Sequence, residues 1–241
     1  MKKKIAASGG SPFETRELRL GLKKFFQLQH TDPKTGKAAT IGSHRWGVYI
    51  FYDYDGEPIY VGQTNEKVSG RIGRHLTNQR TDAVAMSVLD PFEVFEIEVY
   101  PLPQYEVVNA KHKDFKEAKQ HLNALEYYVH EKAKLQSKFK AILNEKDPPK
   151  PVKKFLVPKS VRGRIVSDQV KELRGHADTR TARRAQVIAR LSQTIAERQV
   201  QVGLRRTLVT QAKRLRWLAD ERFKAMGGEN AVETTSEDSE E

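Results

Sequence analysis

The sequence predicts an α+β fold: a small three-stranded antiparallel sheet flanked by helices, followed by a mostly helical, basic C-terminal extension. Three observations carry that prediction. Residues 47–61 hold two β-branched and aromatic runs joined by Asp55-Gly56, a hairpin signal. From Asp114 to Phe139 apolar residues recur at three- and four-residue steps, the period of a helix. Residues 165–225 are rich in Ala, Leu, Gln, Arg and Glu and contain no proline.

Residues 1–10 form a basic arm ending in Ser8-Gly9-Gly10, expected to be flexible, and residues 11–46 are expected to be a helix and a loop. Ser11-Pro12 suits a helix start with Pro at the first position. Leu18, Leu22, Phe25 and Phe26 can share one face of that helix, and the Thr31–Ser43 stretch, with Pro33 and Gly36, reads as loop. Beyond it, Gly47-Val48-Tyr49-Ile50-Phe51-Tyr52 and Ile59-Tyr60-Val61 predict a β-hairpin. If the turn is an even-numbered loop centred on Asp55-Gly56, residue 60 lies opposite residue 51, and period-two alternation puts Tyr60 and Tyr49 on one face.

Val68, Ile72 and Leu76 repeat every four residues and predict a helix packed on the sheet, with Arg71 and His75 forming a neighbouring row. Gly70 and Gly73 oppose that helix by about 1 kcal/mol each relative to Ala. Glu93 to Val99 alternates apolar and acidic residues, as a third, half-exposed strand would. In the long helix that follows, Glu126 sits one position past Leu125, at the border of the apolar stripe. A proline-rich linker at 148–158 then closes a unit spanning 47–147. Residues 159–226 are expected to be a basic helical region with breaks near Gly175 and Gly203, and 227–241 a disordered acidic tail.

A formal net charge of +12 favours a polyanionic partner, nucleic acid before an anionic membrane. The absence of cysteine excludes disulfides and thiolate metal sites. With neither a secretory signal nor a membrane-length apolar run, the expected location is the cytoplasm. His44, His112, His121 and His130 are too loosely spaced to make a metal set, and neither a nucleophile elbow nor a phosphate-binding glycine loop is present.

Gly47-Val48-Tyr49, Tyr60-Val61-Gly62, Arg71 with His75, Glu126 and Asn144 resemble, in order and spacing, the five signature elements of the GIY-YIG nuclease domain. Two positions depart from the family pattern. Val stands in the middle of each tripeptide where the family name has Ile, and Gln63 stands where several branches carry Lys. The resemblance implies magnesium-dependent hydrolysis of DNA phosphodiesters, with Mn²⁺ able to replace Mg²⁺. Tyr49 would be the general base or orient the attacking water, and Tyr60 would assist it or hold the water. Arg71 would stabilise charge on the phosphate, Glu126 would bind the metal, His75 would contact phosphate or relay a proton, and Asn144 would support the site by hydrogen bonding.

Those roles suit the chemistry, because a phosphodiester transition state gathers negative charge that a cation and a guanidinium fork relieve. Nucleic-acid contacts are expected at Gly62, Gln63 and Arg74 beside the site, and at Arg180, Arg183, Arg184, Arg205 and Arg206 on the extension. The extension's apolar stripes, Ile188, Leu191, Ile195 and Leu204, Leu208, Leu215, Leu218, equally suit a helical bundle or a homodimer contact. Taken singly, each site residue has a bland reading: core aromatics, a solvated helix face, an ordinary helix carboxylate. The alternatives to a DNA endonuclease of phage, mobile-element or restriction type are a noncatalytic nucleic-acid-binding or assembly protein on the same scaffold and an RNA-directed nuclease.

Overall fold

The computed structural model describes residues 12–77 and 88–228. The arm at 1–10 and the tail beyond residue 228 lie outside the described residues. The first helix, α1 (Phe13–Phe26), starts after Pro12 and buries Leu18, Leu22 and Phe25, the face its apolar spacing selects. The stretch expected to be loop is framed by two short strands, β1 (Gln29–Thr31) and β2 (Ala38–Thr40), paired antiparallel. Asp32 makes their turn by accepting bonds from the Lys34 amide and the Thr35 hydroxyl at 2.9 and 2.7 Å, which the Asx chemistry of an Asp-Pro-Lys-Thr run favours.

The central hairpin is β3 (Gly47–Tyr52) and β4 (Pro58–Thr64). Phe51 pairs with Tyr60, as the sequence predicts, but by a different route. The turn is odd: Asp53 N–H donates to the Glu57 carbonyl, Gly56 N–H to the Asp53 carbonyl, and Tyr52 faces Pro58. Gly56 takes φ +71°, a conformation that costs glycine least, and a bulge next to Tyr52 restores the even register. All six residues of β3 are buried because the strand is central and both faces of the sheet are covered.

The sheet has four strands, not three, in the order β4-β3-β5-β6, with β5 at Glu96–Pro101 and β6 at Val161–Arg164. β6 comes from the region expected to be helical. Val-Arg-Gly-Arg carries no apolar alternation; it is a strand because β5 pairs with it, and because Arg162 reaches Glu96 at 2.8 Å and lies 3.7 Å over the Tyr52 ring. The acidic residues of the 93–99 stretch are also less exposed than a half-solvated strand implies. Glu93 sits in a buried turn, and Glu98 is buried while accepting bonds from Tyr52, Tyr100 and Ser160.

One face of the sheet packs on α2 (Val68–Leu76), α1 and the C-terminal helices; the other packs on α3 (Phe115–Gln136). Val68, Ile72 and Leu76 are at most 1% exposed. Each contributes about 1.5–3 kcal/mol on burial, which outweighs the roughly 1 kcal/mol lost at each of Gly70 and Gly73. Residues 148–158 run as irregular chain. After them come α4 (Asp168–Gly175), α5 (Ala177–Glu197) and α6 (Val202–Ala225), the breaks falling near the two expected glycines. α5 and α6 run antiparallel, with Asp178 bonded to Arg222 and Arg184 to the Arg214 carbonyl. Their Leu191 and Leu204 join the core on the α2 side of the sheet.

Candidate active site

Tyr49 and Gly62 are cross-strand partners, as are Phe51 and Tyr60. This register puts both phenols on the α2 face, with ring centroids 6.5 Å apart. His75, buried on α2, meets Tyr60 edge-on at 4.7 Å, and its Nδ1 lies 3.4 Å from the Tyr49 hydroxyl. Tyr49 is fully buried whereas Tyr60 is half-buried. The Tyr49 ring crosses its partner strand at Gly62 so closely that a Cβ there would fall 2.5 Å from the ring and the hydroxyl. Gly62, expected at a nucleic-acid contact, is buried and serves instead as the space this ring occupies.

One residue further along β4 the side chain points to the α3 face. Gln63 Nε2 donates to Glu126 Oε2 at 2.8 Å and to Asn123 Oδ1 at 3.2 Å. Burial raises the Glu126 carboxyl above its ordinary value, against the Gln63 hydrogen bond and the charges of Lys119 and Arg71. Arg71, on α2, thus acts electrostatically on a carboxylate of α3 around the edge of β4. Its Nε is buried and has no hydrogen-bond acceptor among the described residues. Asn123 escaped the sequence reading. The signal for it was its position three residues before Glu126, on the same face of one helix.

Asn144 is hydrogen-bonded to backbone rather than to the aromatic cluster or Glu126. Its carboxamide clamps the outer edge of β4, accepting from Val61 N–H at 3.0 Å and donating to the Val61 carbonyl at 2.8 Å, as a neighbouring strand would. It therefore fixes the backbone between Tyr60 and Gly62. Arg74 is ion-paired to Glu66 on the surface.

The arginines of the extension divide. Arg205 is exposed; Arg206 is exposed and pairs with Asp147 at 2.7 Å. Arg180 and Arg184, expected at nucleic acid, are buried and turned inward. Arg180 forks onto Asp55, and Arg184 reaches Glu93 at 2.5 Å and Asp53 at 2.9 Å. Arg214 joins them on Asp53 at 2.8 Å, and Arg183 pairs with Asp90 at 2.7 Å. These partners, 91 to 161 residues upstream of the arginines they hold, could not be read from the local charge pattern. Burial works against the charge of Asp53, but Arg214, Arg184 and Arg180 outweigh it and hold the carboxyl below the usual range. The cluster ties the hairpin turn to α5 and α6, so these guanidiniums hold the fold and are not offered to a phosphate backbone.

Among the described residues no three His, Cys, Asp or Glu side chains group as a metal cage. Glu126 could hold a cation only as a single carboxylate, leaving water and substrate oxygens to complete its surroundings. Mg²⁺ accepts such a site, whereas a structural zinc does not. No helix among the described residues is long and apolar enough to cross a membrane. Residues 45–139 match the family model described as the GIY-YIG catalytic domain, a nuclease fold. No curated protein and no solved structure matches the chain.

Proposed function

We propose, from the GIY-YIG catalytic domain at residues 45–139, that this protein is a divalent-metal-dependent endonuclease hydrolysing DNA phosphodiester bonds. The observation that carries this reading is the set of groups gathered around the edge of β4: two phenols and an imidazole on one side, a carboxylate held by Gln63 on the other, and Arg71, whose charge acts on that carboxylate. A Mg²⁺ or Mn²⁺ at Glu126 would neutralise charge gathering on the phosphate oxygens.

The chain's own groups supply the rest. Arg71 presents its guanidinium to the phosphate, where its fork stabilises charge in the transition state better than in the ground state. Tyr60, the more accessible phenol, holds the attacking water. A phenol is a weak base near neutral pH, with a reference pKa of about 10. The Tyr49 and His75 pair removes this obstacle: Tyr49 takes the water's proton as its own passes to His75 Nδ1, in the tautomer that leaves that nitrogen free to accept. Gln63 and Asn123 orient the Glu126 carboxylate, and Asn144 fixes the strand that carries Tyr60.

The test is cleavage of supercoiled plasmid in Mg²⁺, with and without chelator. The native chain should nick or linearise it. Glu126→Ala should be inactive while retaining its fold and DNA affinity, and Tyr49→Phe should be about 10²–10⁴ times slower. Undiminished cutting by Glu126→Ala would remove the metal assignment. The second reading, a binding protein on a nuclease scaffold, draws on the full burial of Tyr49 and would appear as DNA binding without scission.

A further inference from the structure

Asn123 belongs to two places. It shares the Gln63 amide with Glu126, and it lines a groove of about 370 Å³ between α3 and the irregular chain at 149–155. That volume lies in the range of about 300–1,000 Å³ typical of small-ligand sites. The two walls differ in chemistry. On α3 the carboxamides of Gln120 and Asn123 are exposed; across from them Pro151 and Phe155 offer apolar surface, flanked by Lys150 and Lys153. Phe155 stacks on His121 with centroids 4.4 Å apart, which fastens the segment against α3. No carboxylate lines the groove, and neither lysine has an ion-pair partner among the described residues.

We infer that this groove is a subsite for the nucleotide adjoining the scissile phosphate. The inference rests on the nuclease reading and adds a place for a part of the substrate that does not react. A carboxamide pairs with the donor and acceptor edge of a base, a flat apolar wall suits its face, and two ammonium groups suit the phosphates on either side. Two lysines and no carboxylate favour an anion. The continuity through Asn123 and Gln63 to Glu126 puts that anion beside the bond to be cut. Gln120 and Asn123 then bias which base is accepted there, while Lys150 and Lys153 contribute affinity without sequence preference.

The chain has no cysteine, so Gln120→Cys creates a unique thiol. In full-length protein carrying Glu126→Gln to block cutting, its maleimide labelling rate is compared with and without duplex DNA in Mg²⁺, with binding followed by fluorescence anisotropy. At DNA about ten times Kd, labelling should slow about tenfold, the factor 1 + [DNA]/Kd, while Leu173→Cys on exposed α4 should label at an unchanged rate. Lys150→Ser with Lys153→Ser should weaken binding about tenfold and flatten the slope of log affinity against log salt by about two. Unchanged labelling of Gln120→Cys on DNA-saturated protein would overturn the subsite and leave the nuclease reading standing. Failure of the protein to bind DNA at all would overturn both.

Discussion

The ring of Tyr49 occupies the space where its cross-strand partner, Gly62, has no side chain. The two residues sit in different tripeptides of the sequence motif, yet they form one structural unit. The glycine makes room for the tyrosine, whose ring and hydroxyl can lie against β4 only because nothing projects from residue 62.

Gly62→Ala should therefore damage the site without removing any functional atom. The added methyl has to displace the Tyr49 ring or the strand, an overpacking cost of about 1–3 kcal/mol. Urea denaturation should show that loss, and plasmid cleavage should fall with it. Combined with Tyr49→Leu, the two changes should be non-additive by about 0.5–3 kcal/mol, since they share one space. Simple additivity would mean that the ring and the glycine do not compete.

Asp53 accepts Arg184 and Arg214 on one oxygen and the Asp55 and Glu57 amides on the other. Asp53→Ala leaves two buried guanidiniums short of an anion and should cost about 3–5 kcal/mol. Arg205→Ala, on the exposed face of α6, should change stability by less than about 0.5 kcal/mol. Equal effects of the two in chemical denaturation would contradict the difference in burial.

His30, His121 and His130 are buried, and burial pushes the pKa of each below the ordinary 6.5. The folded chain then resists protonation that the unfolded chain accepts. The stability they confer is complete above 6.5 and is lost as pH falls from there through their depressed folded values. Thermal midpoints should drop between pH 7.5 and pH 5. His121→Gln, which keeps an acceptor for the Tyr105 hydroxyl, should shrink the drop. A midpoint that is flat across that interval would show that these rings protonate freely in the fold.

Glu126 behaves in the opposite sense. Its folded pKa is raised, so above the ordinary 4.5 its ionised form weighs against the fold. Glu126→Gln should melt higher than the native chain at neutral pH in chelator, and the gain should vanish in acid once both states are protonated. The same variant should be inactive. Stability bought at the expense of chemistry marks a residue kept for its charge. A variant less stable than the native chain at pH 7 would show that Glu126 serves the fold.

Much of the architecture was legible because local patterns have fixed periods. The 47–61 runs alternate with period two and Val68, Ile72 and Leu76 with the period of a helix. Each pattern marks a buried face before any partner is known. The pairing of Phe51 with Tyr60 followed from the same alternation, although its turn is odd and a bulge corrects it. The ordered spacing of Tyr49, Tyr60, Arg71, His75 and Glu126 was enough to suggest the domain.

What the sequence alone determined, then, is which strongly periodic segments form helices and strands and which residue types stand at the motif positions. Tertiary structure alone decided the fate of the charges. Arg184 and Arg205 look alike in a basic helical stretch; one is sealed against Asp53, 131 residues away, and the other faces water. It likewise decided that Val161–Arg164 completes the sheet, and that Glu93 and Glu98 lie inside. The reason is physical. Apolar side chains reveal themselves by periodicity, because any apolar neighbour satisfies them. A charge can be buried only opposite a specific partner, and the chain has to fold before that partner is beside it.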